Sequence, residues 1–502
     1  MLDAFLVGLS QAGQWQSLLS TAIGVIIGLV VGMLPGLTIS SGIIIVLPLT
    51  FTMSPVNSIS MLLGLYAAGM TGGSISAILL NIPGTPSASA TGLDGYALTR
   101  QGMAGKALGT AVIASFGGGM FSLLCLVAIA PQLARVALHF GAPELFTLVV
   151  FGLASVCSFA QRSITKGLIS AVLGLIIMTA GQDPVMGTPR FTFGSVSMLS
   201  GISFLPAMVG LFAIPQVLRA LSGEAATGMA AAAFSKITGL LPTWQDIRKV
   251  LKTIGLGSAI GTGIGIIPGA AGPIAAFFSY DYARRISKDP GRFGRGALEG
   301  VAAPESANNG VSGGAMIPML TLGIPGDPIT ALLIGALMIH GLAPGPLLFQ
   351  EHADFVYTVF VAFLFANVFN LVIALLLIPF IVRVLRIPRV SLLALIALLC
   401  VLGTYALRNN FFDSAVMLFF GILGFFMQKY DIPVVPMILA IVLGPLMEEH
   451  LRVALTISKG DPTIFFLRPV SALFILMTAA TILTPIIRRR TRPGAAKADQ
   501  DL

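Results

Sequence analysis

Gly24-Val-Ile-Ile-Gly28-Leu-Val-Val-Gly32-Met-Leu-Pro35-Gly36 and Gly257-Ser-Ala-Ile-Gly261-Thr-Gly-Ile-Gly265-Ile-Ile-Pro268-Gly269 decide how this chain is read. In both, glycine recurs every fourth residue and the last glycine follows a proline. Each of these positions in the second stretch stands 233 residues after its counterpart, and Ile27 and Ile260 match at the same distance. Glycines at this spacing give a helix one flat stripe on which another backbone can lie closely. The closing Pro-Gly ends the helix, because proline lacks the N–H and glycine costs helix stability. Two such ridges with one ending point to an internal duplication.

A second element repeats. Asn81-Ile-Pro-Gly-Thr-Pro86 corresponds to Gly323-Ile-Pro-Gly-Asp-Pro328 at a distance of 242 residues, with Leu80 matching Leu322 and Ile82 matching Ile324. The longer distance implies an insertion in the second half, and charge marks where it lies. Arg284, Arg285, Lys288, Arg292 and Arg295 fall between the two elements there, whereas Phe51 to Ser58 of the first half hold no Lys or Arg. Beyond the second element the pattern reverses: the first half has Arg100 and Lys106, the second has no Lys or Arg from 296 to 382. Since Lys and Arg stay on the cytoplasmic side, corresponding loops are expected on opposite faces of the membrane, as in an inverted-topology repeat. The same rule places the N-terminus outside and the C-terminus inside. Arg162 and Lys166, Lys236 to Lys252, and Arg383, Arg386 and Arg389 fit that count.

Composition agrees with a lipid environment. Of 502 residues, 56% are hydrophobic and only 10% charged, against about 25% charged in soluble domains. Apolar stretches near the ~20 residues a span needs recur, among them 58–80, 107–130, 355–382 and 464–487. A soluble enzyme, a disordered chain, a disulfide scaffold and an alternating outer-membrane barrel are excluded. The net charge of +9 reads as topology rather than nucleic-acid binding, with Arg488, Arg489, Arg490 and Arg492 as a cytoplasmic stop. Cys125, Cys157 and Cys400 are too scattered for a metal cluster or disulfide framework. Met1-Leu-Asp-Ala lacks a basic n-region, so no cleavable signal peptide is expected. The expected architecture is an all-α polytopic membrane protein of about 12 transmembrane segments, built as two inverted-topology repeats with broken, re-entrant helices. Residues 1–221 form the first repeat and 250–487 the second. An amphipathic interfacial connector, 222–249, joins them, and 488–502 is a basic tail.

Broken helices survive in a bilayer only where they pack in protein or line a cavity, so four breaks, two per repeat, mark a polar cavity. Thr85 before Pro86 and Asp327 before Pro328 have the form of an N-cap followed by proline at the first helical position. Thr38, Ser40 and Ser41 offer caps after the first break, and Pro273 opens a helix after its counterpart. Helix N-termini carry free N–H groups and partial positive charge, which suits a carboxylate without any buried Lys or Arg. The candidate substrate residues are therefore Pro35, Gly36, Thr38, Asn81, Pro83, Gly84, Thr85, Ser87, Pro268, Gly269, Ala270, Gly323, Pro325 and Gly326. The structural alternative is a set of gap-filling loops.

Intramembrane ionisable residues are functional suspects because they are costly to insert. Two roles are open to Asp327: N-cap, or ligand or proton acceptor for a coupling cation. Glu305, with Asn308 and Asn309 in Pro304-Glu-Ser-Ala-Asn-Asn-Gly310, offers hard oxygen ligands or forms an aqueous loop at the cytoplasmic mouth. The coupling ion is expected to be Na⁺ or H⁺, with no resident cofactor or metal. His352 beside Glu351 and Asp354 reads as a hydrated loop. No P-loop, Ser-His-Asp or H-E-x-x-H pattern is present and no His lies near the Pro-Gly elements, so an enzyme is not expected. An anion channel built on half-helices is the alternative to a carrier.

At Gly32-Met-Leu-Pro-Gly-Leu-Thr38, Asn81-Ile-Pro-Gly-Thr-Pro-Ser-Ala88, Leu93-Asp-Gly-Tyr96, Pro268-Gly-Ala-Ala-Gly-Pro273, Ala303-Pro-Glu-Ser-Ala-Asn-Asn309 and Gly323-Ile-Pro-Gly-Asp-Pro328, the chain resembles the large membrane subunit of the tripartite tricarboxylate transporters, the TctA family. The resemblance covers nearly the whole length. It implies a secondary transporter of the bacterial cytoplasmic (inner) membrane that takes up carboxylates, citrate-like or other organic acids, on a cation gradient. It also implies two partners: a small, TctB-like membrane subunit and a periplasmic, TctC-like solute-binding protein that delivers the substrate.

Overall fold

The structure is a computed structural model that describes residues 2–34, 37–159, 163–183, 186–221, 239–269, 272–382, 397–398, 400–402, 404–405 and 409–491. Pro35, Gly36 and Ala270, most of the expected connector, Arg162, Lys236, Arg383, Arg386, Arg389 and the tail from Arg492 lie outside the described residues. The first helices are α1 (Leu2–Ala12), α2 (Trp15–Met33), α3 (Ile39–Thr50), α4 (Pro55–Leu80), α5 (Ala88–Arg100), α6 (Ala104–Ala137), α7 (Ala142–Phe159) and α8 (Ile164–Met178). A small hairpin follows, β1 (Gly181–Gln182) antiparallel to β2 (Pro189–Arg190). Then come α9 (Val196–Leu199), α10 (Phe204–Leu221), α11 (Trp244–Ile266), α12 (Gly272–Ile286), α13 (Leu298–Leu322), α14 (Pro328–Ile339), α15 (Pro346–Glu351) and α16 (Ala353–Ile381). The chain closes with α17 (Phe411–Lys429), α18 (Val435–Ile457), α19 (Ile464–Leu467) and α20 (Pro469–Thr491).

The protein is helical with almost no strand, as the composition requires of a chain whose backbone must be satisfied within lipid. Among the described residues, Trp15–Met33, Pro55–Leu80, Ala104–Ala137, Ala353–Phe380 and Phe411–Lys429 are long and apolar enough to cross a membrane. The shorter apolar helices include Ile39–Thr50, Ile164–Met178 and Pro328–Ile339. Together they make a multi-pass membrane protein.

Two compact units are present, Met1–Arg135 with Gln216–Asn410, and Val136–Pro215 with Phe411–Leu502. The second unit packs through small residues too. Gly174 of α8 faces the backbone of Met437 in α18, and Gly210 of α10 faces that of Met417 in α17. Its hairpin is pinned by ion pairs: Asp183 binds Arg190 and Arg452, and Glu448 lies 2.9 Å from Arg190 and 2.7 Å from Arg452.

The described Pro-Gly elements, at Pro83, Pro268 and Pro325, belong to the first unit, which is organised around two closely packed helix pairs. A Cβ on Gly24, Gly28 or Gly32 of α2 would strike the backbone of Met61, Leu65 or Gly69 on α4. A Cβ on Gly257, Gly261 or Gly265 of α11 would strike Ala303, Ala307 or Val311 on α13. The contacted residues of α13 each stand 242 residues after those of α4. Gly72 against Leu29 and Gly314 against Thr262 return the contact from the other side of each pair. The duplication seen in the sequence is thus also a duplication of contacts, and neither ridge tolerates a side chain because the obstacle is backbone.

Each helix breaks where the Pro-Gly pairs predict. α4 stops at Leu80 with Asn81 left-handed at φ 58, and α13 stops at Leu322 with Gly323 left-handed at φ 70. Asn and Gly are the residues that occupy this conformation most cheaply. Thr38 caps α3, its hydroxyl accepting from the Ser41 N–H at 3.1 Å. α12 opens at Gly272, one residue before Pro273.

Two expectations change. Thr85 does not cap a helix beginning at Pro86: its carbonyl accepts from the Ala88 N–H in a turn, and α5 starts at Ala88. The polar run 304–310 is not an aqueous loop but the buried middle of the unbroken helix α13. α11 begins at Trp244, where Thr243 and Asp246 form a capping box. Such a box satisfies two end donors at once.

Replacing Gly261 by Val forces the α11 and α13 backbones apart. It is expected to cost at or beyond the upper end of the roughly 1–3 kcal/mol typical of overpacking, whereas Gly263→Ala, which meets open space, leaves thermal stability unchanged or raises it by up to about 1 kcal/mol. Melting curves of the two purified variants against wild type check this.

Candidate functional site

The two breaks of the second half touch each other. The Gly269 N–H donates to the Gly326 carbonyl at 2.8 Å, and Gly269 is left-handed at φ 79. Gly326 packs against Ala315 of α13 and the Gly265 carbonyl of α11, with no room for a Cβ. In the first half Gly84 likewise lies on the Gly32 carbonyl, and its N–H donates to Gly73 of α4 at 3.1 Å. The freed backbone is thus partly satisfied by the ridge helix α4 at Gly84 and by the facing break at Gly269 and Gly326. Gly323, Ile324, Pro325 and Gly326 are buried, whereas Asn81, Ile82 and Pro83 are exposed. Thr38 is exposed and Pro268 partly buried. Thr85 and Ser87 are buried with their hydroxyls 3.3 Å apart.

Asp327 is a cap, and more. Its Oδ1 accepts from the Thr330 N–H at 2.7 Å and from the Thr330 hydroxyl at 2.8 Å, while the Thr330 hydroxyl oxygen accepts from the Asp327 N–H at 3.0 Å. This box starts α14 directly after the break. Its Oδ2 accepts from the Tyr66 hydroxyl at 2.6 Å, tying α4 of the first half to the break of the second. Both oxygens are thus engaged by groups of the protein.

Glu305 sits differently. It is fully buried on α13, with Oε1 accepting from the Thr91 hydroxyl of α5 at 2.6 Å and Oε2 from the Ser115 hydroxyl of α6 at 3.0 Å. Its neighbours on the helix carry unfilled acceptors. Asn309 donates through Nδ2 to the Glu305 carbonyl, and Asn308 donates to the Met70 carbonyl of α4 at 3.3 Å, yet the Oδ1 of each is buried without a partner. The Thr262 hydroxyl of α11 is buried without one too. A Cβ at Gly272, where α12 begins, would lie 2.9 Å from Asn308 Oδ1 and 3.7 Å from Ser87 Cβ. Asn308, Ser87 and the N-terminus of α12 are therefore neighbours. Among the described residues neither Glu305 nor Asp327 has an ion-pair partner. Buried carboxylates are costly unless paired or hydrogen-bonded, and here hydroxyls and amides take that part.

Sequence reasoning passed over Tyr66, Thr91, Ser115 and the role of Asp94. Asp94 Oδ1 accepts the N–H groups of Gly294, Gly296 and Ala297 at 2.7–2.9 Å, and Oδ2 accepts the Tyr280 hydroxyl at 2.9 Å. This carboxylate fastens the loop that leads into α13. Thr91 and Asp94 lie in or beside Leu93-Asp-Gly-Tyr96, the one usable signal. Tyr66 and Ser115 lie in apolar helices where nothing marks them.

The family model described as the tripartite tricarboxylate transporter TctA family matches residues 18–439 of the chain. An uncharacterized 52.8 kDa protein of Agrobacterium vitis, from the TAR-I ttuC′ 3′ region, is 39% identical over 471 residues, 93% of each chain. A second uncharacterized protein of the same organism, from the TAR-II ttuC′ 3′ region, is 38% identical over 233 residues, covering 46% of this chain and 96% of its own. No solved structure matches.

Replacing Asp327 separates cap from charge. Asp327→Asn keeps a good capping residue and is expected to melt near wild type. Asp327→Ala loses about 0.5–2 kcal/mol of capping and about 1–3 kcal/mol more from the stranded, buried Tyr66 hydroxyl. Thermal unfolding of both variants measures the difference.

Proposed function

Because the chain belongs to the tripartite tricarboxylate transporter TctA family, whose members are membrane components of a transport system, we propose that it is the large permease subunit of a binding-protein-dependent carboxylate importer driven by Na⁺ or H⁺. Its partners are a small membrane subunit and a periplasmic solute-binding protein. It sits in the bacterial inner membrane with the N-terminus periplasmic and the C-terminus cytoplasmic. Its two repeats, 1–221 and 250–487, are inverted, joined by the connector 222–249 and followed by the tail 488–502, with about 12 segments crossing or entering the bilayer.

The observation that carries this reading is the buried polar centre around α13. Glu305 lies among hydroxyls with unfilled acceptors at Asn308 and Asn309 beside it, next to the start of α12. A carboxylate substrate binds at the broken-helix N-termini, where free N–H groups and partial positive charge favour it. The elements that supply these groups are Pro35–Thr38, Asn81–Ser87, Pro268–Gly272 and Gly323–Pro328. The coupling cation is held or carried by oxygen donors. Of the two acidic candidates Glu305 suits this better, because the oxygens of Asp327 already serve the cap of α14 and Tyr66. Asn308 and Asn309 supply neutral oxygens to the same ion. Alternating access rocks one repeat against the other, which the Tyr66–Asp327 and Thr91–Glu305 hydrogen bonds between the halves would report.

Uptake of labelled carboxylate into proteoliposomes holding the permease and both partners tests the function. Wild-type uptake rises severalfold with an imposed Na⁺ or H⁺ gradient. Glu305→Gln loses that dependence, and Asp327→Asn keeps most of it. Uptake indifferent to either gradient removes the coupling claim, and single-channel conductance in place of saturable turnover makes the protein a channel.

Inversion is tested by labelling in intact cells. Thr52→Cys reacts with a membrane-impermeant maleimide added outside, and Ser287→Cys reacts only after the cells are opened. Reaction of both from one side contradicts inverted repeats.

A further inference from the structure

A cavity of about 330 Å³ opens in the first unit, between residues 249–253 of α11, the end of α12 and the entry to α13. Four cations line it: Lys249 and Lys252 from α11, and Lys288 and Arg292 beyond α12. Asp289 and Glu299 also line it, leaving a surplus of positive charge. Among the described residues none of the four cations is in an ion pair, in contrast to Arg285 nearby, which holds Asp281 at 2.7 Å. Exposed cations left unpaired around a concave pocket set up an attractive potential for an anion.

The surfaces that leave the pocket are apolar. Ile286 lines it and begins a stripe of Ile286, Tyr282, Phe278 and Ile274 along α12, each 41–55% exposed. These residues are four apart and so share one helix face. On α11, Lys252 lines the pocket, and Gly255, Ala259 and Gly263 follow on its face, all exposed, with open space beside both glycines. A basic pocket thus continues into a bulky apolar face on one helix and a smooth one on the other. Free phosphate would use only the pocket. A lipid would use both, its phosphate among the cations and its acyl chains along the two faces, and basic pockets between membrane helices are suited to anionic headgroups.

We propose that Lys249, Lys252, Lys288 and Arg292 form a binding site for an anionic phospholipid whose acyl chains lie along α11 and α12. The site is separate from the transport pathway and independent of the coupling ion. Its occupant bridges α11 to the segment that Asp94 fastens, so it steadies the entry to α13.

The test uses the full chain, purified in detergent and delipidated. Phosphatidylglycerol, phosphatidylcholine and glycerol 3-phosphate are titrated in separate arms, with lipid adducts counted by native mass spectrometry and stability read from melting curves. Phosphatidylglycerol is expected to bind at least tenfold tighter than phosphatidylcholine and to raise the melting temperature. Lys249→Gln/Lys252→Gln and Lys288→Gln/Arg292→Gln each weaken that preference severalfold, while Arg285→Gln leaves it unchanged. All five replaced side chains are exposed, and each variant is first checked for monodispersity. If one double variant fails to fold, the other carries the comparison. Equal binding of the two lipids, or an undiminished preference in a folded double variant, overturns the site. Glycerol 3-phosphate matching the lipid overturns the lipid assignment in favour of a soluble phosphate.

Discussion

Backbone lying on backbone at the glycine ridges is the constraint on which the rest of the first unit depends. Where α2 meets α4, and where α11 meets α13, the carbonyls of one helix occupy the space a Cβ would need on the other. In lipid there is little hydrophobic force to bring two apolar helices together, so close packing must hold them. The ridges also support the breaks. Gly84 rests on the Gly32 carbonyl and Gly326 on the Gly265 carbonyl, so these two interrupted segments are seated on the ends of the ridges. Widening either pair would remove the surface on which unsatisfied backbone is tolerated at all.

That seating explains why polar groups can be concentrated near α13. A helix buried along its whole length, as α13 is, has no lipid-facing side and can carry Glu305, Asn308 and Asn309 wherever neighbours supply partners. Those neighbours come from the other half of the chain: Thr91 and Ser115 for Glu305, Met70 for Asn308, Tyr66 for Asp327. Each carboxylate is thus shared between the repeats. Among the described residues these carboxylates are held by hydroxyl and amide hydrogen bonds and not by ion pairs.

What the sequence disclosed follows from period and local chemistry. Glycine spacing, Pro-Gly pairs and the capping forms of Thr38 and Asp327 are local signals, and the structure has helix ends at each. The duplication was legible because its two copies keep their offsets. Thr85 was misplaced by two residues because a Thr-Pro pair at a helix start can equally open a turn, and here the Thr85 carbonyl takes the Ala88 N–H. The run 304–310 was ambiguous because polarity alone does not separate a loop from a helix buried on every side. Tyr66 and Ser115 were invisible for a different reason: their partners lie 261 and 190 residues away, and a hydroxyl in an apolar helix commonly satisfies itself on the preceding turn, as Thr321 does.

Asp94 shows how far one carboxylate can organise such a fold. Three N–H donors of the 294–297 segment, those of Gly294, Gly296 and Ala297, converge on a single oxygen, and the Tyr280 hydroxyl of α12 donates to the other. The loop needs this because Gly294 and Gly296 are both left-handed, at φ 81 and 104, and so turn their N–H groups away from any helix ladder. Without an acceptor, the buried Ala297 N–H at the entrance to α13 would be stranded. Gly300 gives the reason the carboxylate can come so close, since a Cβ there would collide with Asp94. The inserted basic segment that inverts the charge pattern of the second half is therefore held by an acidic residue of the first. The element that sets topology in the sequence is also the one the structure ties across the two repeats.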